Sequence, residues 1–142
     1  MKRKGFTLVE LLVVISVIGI LLSVVLARYQ ISEKQARDTK RRSDLSQYRI
    51  ALENYSSAHN FTYPVVSDGS ADTLCSALET DGFIASCLTD PRDLGYVCYS
   101  DGVNWVLGAT LESGGFWEIC SNGKVGKPTP PTVLPTSASC NL

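Results

Sequence analysis

The sequence is poor in the residues that carry most enzyme chemistry. It holds one histidine, His59, and no Cys/His pair at metal-ligand spacing, so zinc finds no ligand set. There is no G-x-S-x-G, no P-loop, no C-x-x-C and no H-E-x-x-H. The stretch at 68–72, DGSAD, does not match an EF-hand loop. These absences leave no expected catalytic residue, no cofactor and no metal. An excess of one charge is also missing. The formal net charge is -1 over 142 residues, which disfavours a uniformly basic nucleic-acid binder. That length fits one ordinary domain, and 44% hydrophobic residues exclude disorder of the whole chain.

What is present is segregated. Lys2, Arg3 and Lys4 form a short basic leader, and residues 6–27 carry only Glu10. Residues 28–49 hold seven bases against three acids, whereas residues 50–142 hold three bases against ten acids. The run at 6–27, FTLVELLVVISVIGILLSVVLA, would span about 33 Å as a helix, and a bilayer's hydrocarbon core is about 30 Å thick. It is too long for a secretory h-region, and no A-x-A-like site follows. A plain signal-anchor helix is the simplest reading. Glu10 argues for more. A charged side chain at the centre of a spanning helix costs about 2.5–3.5 kcal/mol on insertion scales. Near the first turns it costs less, but it still needs a partner or a proton. A cation arriving from another chain would satisfy it.

Residues 4–15, KGFTLVELLVVI, resemble the class III leader of type IV pilins and pseudopilins. That resemblance implies cleavage between Gly5 and Phe6 by a prepilin peptidase, and N-methylation of the new terminus at Phe6. It implies that Glu10 pairs with the Phe6 ammonium of a neighbouring subunit during assembly. Charges in a low-dielectric filament core attract strongly, and either one left alone is costly. Many pilins carry a proline near the end of the apolar run, and this chain has none there. Gly19, about 1 kcal/mol poorer than Ala in a helix, is the expected place for local melting on assembly, or for close helix packing.

Orientation draws on two conflicting signals. Bases follow the run more densely than they precede it, which by positive-inside counting would keep the distal part in the cytoplasm. The family leader and five distal cysteines place that part in an oxidising exterior.

Residues 28–59 lack Pro and Gly and continue the helix. Glu33–Arg37 and Asp38–Arg42 stand at helical i,i+4 spacing. Leu45, Tyr48, Leu52 and Tyr55, with Ala51 and Ala58 alongside, make an apolar stripe for a distal sheet. The basic stretch Arg37, Lys40, Arg41, Arg42 and Arg49 suits an acidic surface of the next subunit better than DNA.

Pro64 closes the helix behind residues 60–63, and Asn60-Phe61-Thr62 is a glycosylation sequon of low specificity. Residues 71–80 read as a short helix. A meander follows, with strands at 94–100, 103–111 and 116–120 and turns at Asp101-Gly102, 113–115 and 121–124. Val103, Trp105, Leu107, Ala109 and Leu111 should share one face, with Trp105 and Trp117 in the core or on a sheet face. Residues 127–139, KPTPPTVLPTSAS, read as an extended surface tail.

Five cysteines allow fifteen ways of forming two bridges, and full reduction is a further alternative. Cys75–Cys87 would close a short loop. Cys120–Cys140 would pin the tail, as C-terminal loops do in many pilins, leaving Cys98. Cys98–Cys120 is disfavoured, since first and third strands of a meander lie about 9–10 Å apart.

The expected fold is α+β: a long N-terminal helix, apolar in its first half, packed on a small antiparallel meander. Its parts are a leader (1–5), a transmembrane and filament-core helix (6–27), a helix continuation (28–59), a β-rich head (60–126) and a tail (127–142). The expected function is a type IV pilin polymerised into a surface filament. The alternative is a pseudopilin of a type II secretion or DNA-uptake machine. The Pro/Thr-rich tail and extra cysteines favour the pilin. The implied partners are copies of the chain, a prepilin peptidase, an assembly platform with its ATPase and, before assembly, the inner membrane; DNA is disfavoured.

Overall fold

The computed structural model describes residues 5, 7–128, 135–140 and 142. Its order is α1 (Leu8–Ala58), α2 (Ala71–Thr80), β1 (Val97–Ser100), β2 (Trp105–Thr110), β3 (Phe116–Cys120) and β4 (Val125–Gly126). The strands form one antiparallel sheet in the order β1-β2-β3-β4, so the expected α+β arrangement of a long helix followed by a meander is present. The chain divides into two compact units, residues 1–35 and 36–142; the second is called the head below.

In the head, the 3,4-spaced stripe of α1 does what its pattern dictates. Leu45, Tyr48, Ala51 and Leu52 are buried and Tyr55 packs beside them, while Ala58 stays exposed. They meet Leu74, Cys75 and Leu78 of α2 and Cys98, Trp105, Leu107, Ala109 and Ile119 of the sheet. Alternation along the strands points these residues to one face. Ser70 starts α2 by accepting from Asp72 N–H, one of the donors that a helix start leaves unpaired.

α1 closes without glycine. Phe61 N–H donates to Ser56 C=O at 2.9 Å, the long bond of a Schellman motif. Asn60 takes φ 53°, which asparagine tolerates, but Phe61 also sits at φ 61°, which costs a side chain with a Cβ.

Three expectations need correction. β1 and β2 are shorter than expected, and Val103 is exposed, because the turn at 101–104 closes before it reaches the sheet. The outer face of the sheet is buried as well as the inner one. Val106, Phe116, Glu118 and Cys120 are buried, and Gly108 is needed there because a Cβ would sit 2.2 Å from the Phe116 ring. The tail is not simply a surface extension. Pro128 and Pro135 are buried, and Cys140 is tied to Cys120; residues 129–134 of that tail lie outside the described residues.

The third correction concerns the basic stretch, which turns inward. Arg41 is fully buried and forks onto Asp90, while its Nη1 donates to Asp38 at 2.8 Å and to Glu112 at 3.2 Å. Arg37 pairs bidentately with Glu112 at 2.7 and 2.9 Å, and Lys40 lies 3.4 Å from Asp44. Asp38 accepts from the backbone N–H of Glu112 and Ser113 and bonds Arg41 instead of Arg42, whose guanidinium lies 4.4 Å over the Trp117 ring. The bases of 37–42 thus clamp α1 to the β2–β3 turn and the loop before β1 within one chain. That removes much of the charge expected to face a neighbour's acidic surface.

This cluster predicts acid sensitivity. Burial works to raise the Asp38 carboxyl, but hydrogen bonds from Ser113, Glu112 and Arg41 outweigh it and hold it at about 2. Glu112 is held at about 2 first by Arg37, against burial, with help from Arg41 and Arg92. Asp90 is also lowered, because bonds from Arg41 and two backbone amides outweigh its burial. These depressed carboxyls stabilise the head above their ordinary range near 4, and that contribution is lost as pH falls towards 2. Circular dichroism against pH should show no loss from pH 7 to 5 and a steep loss between about 4 and 2. A head equally stable at pH 2.5 and 7 would contradict the clamp.

Candidate functional site

The N-terminal end of α1 is built by Thr7 and Glu10. Glu10 N–H donates to Thr7 Oγ1 at 3.2 Å, while Thr7 N–H and its hydroxyl both donate to Glu10 Oε2 at 2.8 Å. This is a reciprocal capping box, which satisfies donors that the first turn leaves free. The positive end of the helix dipole also favours a carboxylate there. Glu10 Oε1 accepts no hydrogen bond among the described residues, so one oxygen remains for a cation from elsewhere. Sequence reasoning found Glu10 and missed Thr7, although T-x-x-E before an apolar run is a readable signature.

Behind the box the helix surface is apolar on all sides. Leu8, Leu11, Leu12, Ile15, Ile18, Ile20, Leu21, Leu22 and Leu26 are exposed. The two serines do not break this surface, because Ser16 Oγ donates to Leu12 C=O and Ser23 Oγ to Ile20 C=O. Every hydroxyl in the run is therefore satisfied within the helix, as an apolar surround requires. It is the one helix among the described residues long and apolar enough to cross a membrane.

The comparisons with known proteins bear on this end of the chain and beyond it. Residues 1–26 match the family model of the prokaryotic N-terminal methylation motif. The type II secretion system core protein G of Escherichia coli (strain K12) is 30% identical over 109 residues, covering 71% of this chain and 74% of that protein. The chain belongs to the type IV pilin and pseudopilin family. A type II secretion system core protein G of Pseudomonas aeruginosa (strain PAO1) is 34% identical over 68 residues, covering 48% of this chain and 47% of that protein. No solved structure matches at the same stringency.

In this pilin-family chain, Gly5 lies exposed just ahead of the capping box, and Phe6 lies outside the described residues. Gly19 is within an unbroken α1, where a Cβ would meet nothing within 4 Å. In the head, Cys75 is joined to Cys87 and Cys120 to Cys140, and Cys98 is a buried free thiol. Burial pushes that thiol up to about 12, so it is a poor nucleophile. His59 stacks on Tyr55 at 3.8 Å and its Nδ1 lies 2.9 Å from Tyr55 C=O, which makes it part of the helix end.

The Cys120–Cys140 bridge closes over a separation of 20 residues. Replacing both cysteines by Ser should cost about 3 kcal/mol by loop-closure entropy. Urea denaturation of the double variant reads that loss. Unchanged stability would show that the tail holds without its bridge.

Proposed function

We propose that this chain is a pseudopilin-type subunit, cleaved between Gly5 and Phe6, N-methylated at Phe6, and assembled through α1 into a filament. The observation that carries the assembly reading is Glu10. Its carboxylate is held by Thr7 at the start of a helix whose apolar N-terminal run, Leu8 to Leu26, exposes its described large side chains, with one oxygen open. An apolar helix leaves lipid readily only for an equally apolar surround, and a bundle of identical helices supplies one. The cation that completes Glu10 is then the Phe6 ammonium of the neighbouring copy. Gly19 serves close packing or local unwinding within that bundle. Before assembly the helix sits in the inner membrane with the disulfide-bearing head outside. The partners are a prepilin peptidase, an assembly platform with its ATPase, and other copies. The role is structural, not enzymatic.

What supports a pseudopilin over a surface pilin is the similarity to two type II secretion core proteins G. The tail, which argued for a pilin in the sequence, loses some of that weight, since Pro128 and Pro135 are buried and Cys140 is bridged to Cys120. Fractionation of the native cells separates the two. A pseudopilin should stay with the cell envelope after shearing. Recovery of most of the chain in long sheared filaments would restore the pilin reading.

A further inference from the structure

Cys75, Glu79 and Cys87 gather at one place beside α2. Their two Sγ atoms and a carboxylate oxygen of Glu79 all lie within 4.8 Å of one another. Among the described residues no other three ligands of this kind meet so closely, so the Cys120–Cys140 pair has no such third partner. Cys75 and Glu79 stand one turn apart on α2, which puts them on the same face. Cys75 is buried, Cys87 half-buried and Glu79 exposed, so the group opens to solvent on one side.

The two sulfurs are joined as a disulfide, yet neither depends on that bond for its place. Cys75 is fixed within α2. Cys87 precedes Leu88, whose N–H donates to the hydroxyl of the buried Tyr48 at 3.0 Å and whose C=O accepts from it at 3.3 Å. The loop after α2 is thus tied to α1 next to Cys87, and the pair stays together as thiols. Their Cα atoms are 5.5 Å apart. From there side-chain rotation can set the sulfurs about 3.6–3.8 Å apart, the ligand spacing around a tetrahedral zinc with Zn–S near 2.3 Å and Zn–O near 2.0–2.2 Å.

We propose that Cys75, Cys87 and Glu79 hold a zinc ion whenever the two cysteines are not oxidised, with water as the fourth ligand. The cysteines are synthesised as thiols. Closing the bridge needs an acceptor disulfide, which takes two electrons and both protons and leaves as a dithiol. Binding zinc needs no oxidant, because the ion displaces the two thiol protons to water. The two states exclude each other. Two thiolates and a carboxylate suit zinc, whereas calcium and magnesium take oxygen ligands. The last turn of α2 carries no base, so the negative end of its dipole has room for a cation. In the thiol state the ion does what the bridge does after oxidation. It ties the loop to α2 and keeps Asp90, which follows in the same loop, against Arg41.

The test uses the full-length chain in detergent under a phosphine reductant, with cobalt(II) as the spectroscopic probe. One equivalent should bind with the absorption of a tetrahedral cobalt–thiolate site, and zinc should displace it. The oxidised chain should not show that absorption. Neither should Cys75→Ser/Cys87→Ser, although Cys98, Cys120 and Cys140 remain. Glu79→Gln, at an exposed position that the fold does not need, should keep the thiolate signal and weaken affinity on the order of tenfold or more, since even groups behind a metal's ligands are worth that much. Zinc at a hundredfold excess over its Kd should raise the Tm of the reduced chain by roughly 10 °C and leave that of the oxidised chain unchanged. No cobalt–thiolate signal in the reduced chain, the same signal in Cys75→Ser/Cys87→Ser, or unchanged affinity in Glu79→Gln would overturn the site. None of these readouts involves filaments, so the assembly reading stands or falls separately.

Discussion

Replacing Arg41 by Met is expected to destabilise the head by about 3–5 kcal/mol, the range for removing one partner of a buried ion pair. Asp90 has its side chain 1% exposed and Asp38 4%, so neither can turn to water when the guanidinium is gone. Methionine fills much of the volume, so the loss reports stranded charge more than a cavity. Arg41→Lys keeps the charge but not the fork onto Asp90, and should fall between the two. Arg37→Met should cost less, because Arg37 is 28% exposed and Glu112 keeps Arg41 and Arg92. Urea denaturation of residues 36–142 measures all three. Equal stability of Arg41→Met and the unsubstituted head would mean that the clamp does not hold α1 to the sheet.

Replacing Glu10 by Ala should reduce filament yield by two orders of magnitude or more. An ammonium left unpaired in an apolar core costs several kcal/mol, and each 1.4 kcal/mol is a factor of ten. The capping box makes a sharper comparison available. Glu10→Gln keeps a carbonyl oxygen for Thr7 and loses only the charge, whereas Thr7→Val keeps the charge and loses the side-chain cap. Loss of a cap costs about 1 kcal/mol. Thr7→Val should therefore lower yield modestly, and Glu10→Gln nearly as much as Glu10→Ala. Immunoblots of chemically crosslinked envelope fractions, scored as the share of chain in multimers and normalised to total chain, read all three. Normal yield from Glu10→Gln would show that the carboxylate acts as a cap and not as a charge partner.

The features legible in the sequence are those set by near neighbours. The apolar run, the bounds of α2 and β3 and the 3,4-spaced stripe from Leu45 to Tyr55 all follow from local pattern. The capping box was equally local, yet the family motif draws attention to Glu10 alone. The ionic clamp was not legible. Arg41 and Asp90 are 49 residues apart and Arg37 and Glu112 are 75 apart, so helical spacing suggested nearer partners such as Asp38 for Arg42. The buried outer face of the sheet was hidden for a similar reason. Alternation marks Val106 and Phe116 as outward, and nothing local says that a proline-rich tail with a distant cysteine is bridged to Cys120.

The most direct measurement is the intact mass of the chain recovered from membranes and filaments of the cells that make it. Processing at the assembly end predicts a mass lacking residues 1–5 and carrying one added methyl group, with the methyl on the peptide that begins at Phe6. A chain that keeps its leader, or one cut elsewhere with a free unmethylated terminus, would contradict assembly through Phe6 and Glu10 and leave α1 as a plain membrane anchor.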